Sequence, residues 1–197
     1  MPRARSSDRS LAQKAKVLAK LPHLDERGTA RMVDVGAKPS THRVAVAEVF
    51  VRMKPETLEL LRAGSLYKGD ALAVARIAGI AGTKRTSDLL PLAHPISITH
   101  VAVDVLLEPE NGGVRIETRV ETVGVTGCEL EALVAASTAA LNLYDMAKSH
   151  DRGMVIEGLQ LVMKSGGRSG VYRRKERRGD TEHSPTKRKT AKKAAKP

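Results

Sequence analysis

Aromatic side chains are nearly absent. Phe50, Tyr67, Tyr144 and Tyr172 are the whole set in 197 residues, and there is no tryptophan. The usual single-strand nucleic-acid modules need several aromatics on one surface to stack bases, so four scattered rings argue against that class. The same scarcity forces the core to be built from Val, Leu, Ile, Ala and Met. Cysteine occurs once, as Cys128, which excludes an intrachain disulfide and a cysteine-rich metal site. No uncharged run approaches the roughly 20 residues that span a bilayer. Ala132 to Tyr144, for example, is 13 residues. The N-terminus is basic without the apolar run of a signal peptide, so a protein of the cytoplasm is expected. No Walker lysine pattern, no GxGxxG after a strand and no HExxH is present, and no metal ligand set is expected.

What the chain does have is enough length for one domain with a real core, 41% hydrophobic residues and a charge that is unevenly distributed. The formal net charge is +12. Residues 1–20 hold six Lys/Arg against one acid, and residues 173–197 hold eleven against three. Residues 21–172 hold seventeen against eighteen, so the middle is nearly neutral. Three parts are therefore expected: a basic N-terminal extension (1–20), a folded domain (21–172) and a basic tail (173–197). The tail ends in KRKTAKKAAKP, which cannot bury enough apolar surface to offset its ordering entropy, and it is read as disordered.

Within the domain, residues 44–52 read as a strand and PETLELLRAG (55–64) as a short helix opened by Pro55 and stopped by Gly64. A second helix starts after Asp70, a good N-cap, and runs through ALAVARIAGIAG. Residues 96–107 are a strand, Asn111-Gly112-Gly113 a hairpin signal, and 114–122 a strictly alternating strand. Val114, Ile116, Thr118 and Val120 fall on one face, and Arg115, Glu117, Arg119 and Glu121 on the other. A long helix from about Glu129 to His150 and a strand at 155–164 complete the order β-α-α-β-β-α-β. With the two early helices counted as one crossover, this predicts an α+β, ferredoxin-like antiparallel sheet. The polar face of 114–122 predicts helices packed mainly on one side.

Four stretches carry candidate chemistry. Lys68-Gly69-Asp70 lies between the early helices. KRTSDLLPLAHP (84–95) holds His94 in a proline-bracketed loop, and an ordinary histidine titrates near pH 6.5. The long helix has Glu129 and Glu131 in its first turn, where the dipole favours anions, and Asp145 and Lys148 one turn apart near its end. Asp145 follows an apolar run, the setting of a partly buried pair with shifted pKa values. KSGGRSG (164–170) offers backbone amides and two cations to an anion. Taken singly, each has a bland alternative: an N-cap loop, a hydrogen-bonded histidine, a surface ion pair, a flexible exit.

The combination is more specific. MVDVGAK (32–38), YKGD (67–70), ARIAGIAGTKRTSDLLPLAHP (75–95), GCELEALVAASTAALNLYDMAK (127–148) and LVMKSGGRSG (161–170) occur in this order and spacing. Over residues 28–171 the chain closely resembles the cyclic pyranopterin monophosphate synthase family, the molybdenum cofactor biosynthesis protein C family. The resemblance implies conversion of (8S)-3′,8-cyclo-7,8-dihydroguanosine 5′-triphosphate to cyclic pyranopterin monophosphate and diphosphate. It implies Asp145, Lys148 and Lys68 as catalytic residues. Substrate contacts fall on Leu92, Ala93, His94, Glu129, Leu130, Glu131, Lys164 and Arg168. It also implies a homohexamer, a trimer of dimers, with its sites between subunits. Many members have cysteine where this chain has Ala93, so no thiol acts there. No cofactor is required by this reading, although magnesium can accompany the triphosphate. The rival reading is a nucleic-acid-binding protein that uses its basic tails, with the core as scaffold.

Overall fold

Strand β1 (Thr41–Arg52) is the centre of the architecture because it pairs on both sides, with β3 and with β4. A computed structural model describes residues 27–175. The extension at 1–20 and the tail beyond 175 lie outside the described residues. The elements after β1 are α1 (Pro55–Arg62), α2 (Ala71–Thr83), a one-turn α3 (Thr86–Leu89), β2 (Ile98–Glu108), β3 (Gly113–Gly124), α4 (Glu129–Ala147), β4 (Val155–Ser165) and β5 (Tyr172–Arg173). The sheet order is β2-β3-β1-β4-β5, with every pair antiparallel. This is the α+β, split βαβ order expected from the sequence. Among the described residues no helix is long and apolar enough to cross a membrane.

The period-2 pattern of the strands decides which face is covered. Ala45, Ala47, Val49 and Val51 of β1 and Val114, Ile116 and Val120 of β3 are buried in one cluster with Ala132, Ala136, Ala139, Ala140 and Leu143 of α4. Thr118, on the same face, donates to Ala132 O at 2.8 Å and so ties sheet to helix. On the opposite face β3 is polar, as the alternation predicts, although β1 sets Val44, Val46 and Phe50 beside it. The most buried of its four charged residues, Arg115, makes a two-pronged contact with Glu108 at 2.7 and 2.9 Å. Helices α2 and α4 pack through small residues. A Cβ added at Gly82 would land in the Thr138 side chain, and one at Gly79 would press on the Ala135 carbonyl and Ala139.

Local signals explain the ends. Asp70 accepts from Ala73 N at 2.9 Å, the N-cap that its position predicts. Pro55 opens α1, and Gly64 follows it at φ 63. The helix expected to reach His150 stops at Ala147. Asp151 beyond it serves a different end, since its carboxylate accepts from Lys54 N, ahead of α1, at 2.9 Å and from Gly153 N at 3.0 Å. The sequence pattern gives no sign of helix α3 or strand β5. The latter pairs with Met163 and Lys164 and straddles the domain boundary expected at 172.

Candidate active site

Lys68, Asp145 and Lys148 meet although 77 residues separate the first two. Lys68 leaves the loop between α1 and α2, where Gly69 at φ 94 lets the chain turn sharply. Its ammonium donates to Asp145 Oδ2 at 2.7 Å and to the Asp145 backbone carbonyl at 2.9 Å. Lys148, the C-cap of α4, reaches Asp145 Oδ1 at 2.7 Å. Both carboxylate oxygens are thus held by cations. The ammonium of Lys148, and then that of Lys68, holds the Asp145 carboxyl down at about 2. The sequence suggests partial burial as the source of a shift. The structure assigns it to the two lysines instead, since about half of the Asp145 side chain is exposed (52%). Tyr67, beside this cluster in sequence, projects fully into solvent.

A second group of cations lies at the opposite end of α4. A cavity of about 660 Å³ is lined by Lys38, Thr41, Arg43, Gly127, Arg168 and Ser169, among others. Arg43 is fixed by donating to Gly124 O at 2.9 Å and Val125 O at 3.0 Å. Thr41 Oγ1 is buried and has no hydrogen-bond partner among the described residues. Gly166 and Gly167, both at positive φ, fold the loop after β4 against His42 and Arg43, too closely for side chains. Lys164 donates to Ser169 within that loop. The Glu129 side chain lies against the Gly127 backbone at the rim of this cavity. Glu131, in the same first turn, is 4% exposed, and burial pushes its carboxyl up to about 7. Burial likewise raises the Cys128 thiol to about 12, and the thiol donates to Val120 O at 3.3 Å, the environment of an inert packing cysteine. Leu130 is exposed.

The proline-bracketed loop with Leu92, Ala93 and His94 leads into β2. That strand lies three strand steps from β4, about 14 Å at the usual spacing. Glu129 and Asp145 are separated by sixteen residues of one helix, about 24 Å. One chain therefore unites Lys68, Asp145 and Lys148, places Arg168 in the cavity wall with Lys164 and Glu129 against its lining residues Ser169 and Gly127, and keeps these groups apart. Sequence reasoning misses Lys38, Thr41 and Arg43 as site residues. Their only sequence signal is that the MVDVGAK stretch ends in a lysine just before a strand.

Residues 32–167, from the Met-Val-Asp segment before β1 to the glycine turn after β4, match the family described as MoaC family. A protein named cyclic pyranopterin monophosphate synthase from Thermomicrobium roseum is 57% identical over 159 residues, which are 81% of this chain and 96% of its own. Proteins of the same name from Roseiflexus sp. and Parvibaculum lavamentivorans are 60% and 53% identical, each covering 79% of this chain and 98% of the relative. A match that includes β1 to β4, both long helices and Lys68, Asp145, Lys148 and Lys164, against relatives covered almost from end to end, makes this chain a member of the MoaC family.

Proposed function

We propose that the chain is a cyclic pyranopterin monophosphate synthase of molybdenum cofactor biosynthesis. It converts (8S)-3′,8-cyclo-7,8-dihydroguanosine 5′-triphosphate to cyclic pyranopterin monophosphate and diphosphate. The observation that carries this reading is the Lys68–Asp145–Lys148 constellation in a MoaC family member. Opening and rebuilding the purine ring needs repeated proton transfers, and these three groups move them. In the cyclisation, a ribose-derived oxygen attacks the α-phosphorus, the bond from that phosphorus to its bridging oxygen breaks, and diphosphate leaves. Such a step needs charge neutralisation more than a covalent nucleophile. Lys38, Arg43, Lys164 and Arg168 supply it, and the Gly127 and Gly167 backbone lies close by. Leu92, Ala93 and His94, with Glu129, Leu130 and Glu131, contact the ring system. No resident cofactor is needed, and magnesium can accompany the triphosphate.

The separation of the two cationic ends in one chain supports a site shared between subunits. In a homohexamer built as a trimer of dimers, the Lys68 end of one chain meets the cavity end of another. The protein works in the cytoplasm, and its basic tails give at most nonspecific contact with nucleic acid. The test is to incubate the full chain with the cyclic triphosphate and to measure diphosphate and the pterin product. No conversion above the uncatalysed rate sinks the reading.

A further inference from the structure

We propose that Lys68 and Lys148 keep Asp145 closed as a proton acceptor in the free enzyme, and that an incoming polyphosphate opens it by drawing a lysine onto itself. This deepens the function proposed above and rests on its reading of a site shared between subunits, in which the triphosphate held at the cavity end of one chain reaches the Lys68 end of another. The geometry carries it. Each Asp145 oxygen holds one ammonium at 2.7 Å, so a proton arriving at either oxygen meets a positive charge already in contact with it. The charged neighbours that depress the carboxylate are Lys148 from its own helix and Lys68 from the α1–α2 loop. A carboxyl held near 2 is a poor base at neutral pH, where an acceptor works best with a pKa near that of the medium.

The clamp is also built to open. The three side chains are 37%, 52% and 50% exposed for Lys68, Asp145 and Lys148, so an anion has access to both ammonium groups. A lysine is a compact charge on a flexible stem with three donors, and it can turn from a carboxylate to a phosphate oxygen without moving its backbone. Phosphate competes well for it, because both contacts are charge-assisted hydrogen bonds and the triphosphate carries more charge. Once a lysine has turned, Asp145 loses one stabilising contact while the ligand excludes water from it. Both changes raise a carboxyl. Basicity then appears only in the presence of substrate, which spares the free enzyme idle proton exchange.

The test uses the full chain labelled with carbon-13 at aspartate Cγ, with the Asp145 resonance assigned by its loss in Asp145→Asn. From about pH 3.5 to about pH 7, a window that brackets the ordinary aspartate value, the free protein gives a flat Asp145 signal. Inorganic triphosphate, with binding followed by calorimetry, introduces a titration step with a midpoint at or above about 3.9. Lys148→Met or Lys68→Met introduces a step without triphosphate. A triphosphate that fails to bind, or that binds and leaves the signal flat, overturns the proposal, and so do flat signals in both Met variants. The readout needs no turnover. Failure of the cyclic triphosphate to be converted therefore counts against the function alone.

Discussion

Asp145 at the end of α4 and Glu131 in its first turn are both carboxylates, yet they stand in opposite conditions. Asp145 is half-exposed, bears two lysines and is held down at about 2. Glu131 is buried and is pushed up to about 7. The helix dipole alone predicts the reverse, since it favours an anion at the N-terminus and disfavours one at the C-terminus. Its effect is about 0.3–1 kcal/mol. Moving Glu131 from its ordinary value to about 7 corresponds to roughly 3 kcal/mol, so desolvation outweighs the dipole there. At the other end, direct hydrogen bonds from two ammonium groups override it. Position on a helix is thus a weak guide to the charge state of a site residue, and the immediate neighbours decide.

The sharpest way to break this comparison is to remove the exposed pair. Asp145→Asn or Lys148→Ala is expected to lower product formation by about 100-fold or more, the scale of lost acid–base catalysis. Melting should barely change, because the pair is solvent-exposed. Near-normal turnover in either variant, measured by diphosphate release, would remove that end of the helix from the chemistry.

The next test asks whether the two ends cooperate across chains. Lys68→Ala and Lys164→Ala should each be nearly inactive. Subunits of the two, mixed and re-equilibrated, should regain part of the activity, because some interfaces then hold both lysines. Activity in the mixture no greater than in either parent would mean that the ends do not share a site.

A smaller effect is expected from Glu131→Gln. A carboxyl whose folded value lies above its unfolded value costs stability as pH rises from about 4.5 to about 7, and the cost persists above that. Glu131→Gln should therefore flatten the loss of stability across this window and melt higher at pH 8, even while substrate contact is weakened. Denaturant titrations at pH 5 and pH 8 check it: an equal change at the two pH values would show that Glu131 is not neutral in the fold. Smallest of all is removal of 1–20 and 176–197, which leaves β5 whole. Turnover should stay within about two-fold, as expected of segments whose sequence carries little apolar surface to bury. Any salt-sensitive binding to DNA or RNA should vanish. A large fall in turnover would make a tail part of one end of the site.

Much of the fold is legible because its signals are local. The alternation from Val114 to Glu121 separates a buried from a polar face, and Asp70, Pro55 and Gly64 mark helix ends by their own chemistry. The pairing of Lys68 with Asp145 is not legible by spacing, since it joins a loop to a helix end 77 residues away. Nor is the role of Arg43. At the start of a strand it reads as one more alternating residue, and only the fold reveals its bonds to the carbonyls of Gly124 and Val125. Helix α4 ends at Ala147 rather than His150, and nothing in the sequence there says that Asp151 will be engaged by a distant amide.

That engagement has a consequence for how the site holds together. The carboxylate of Asp151, just beyond Lys148, is bonded to the backbone before α1, the helix that leads to the Lys68 loop. The two backbone segments that deliver the lysines to Asp145 are therefore latched to each other as well as to the aspartate. Opening either segment releases the latch and frees the other, so both should unfold and refold in one step rather than fray independently. In native-state hydrogen exchange the amides of Lys54 and Lys148 should share one opening free energy and respond together to Asp151→Asn. The site would then be lost or kept as a unit, with no intermediate that carries only one of its lysines.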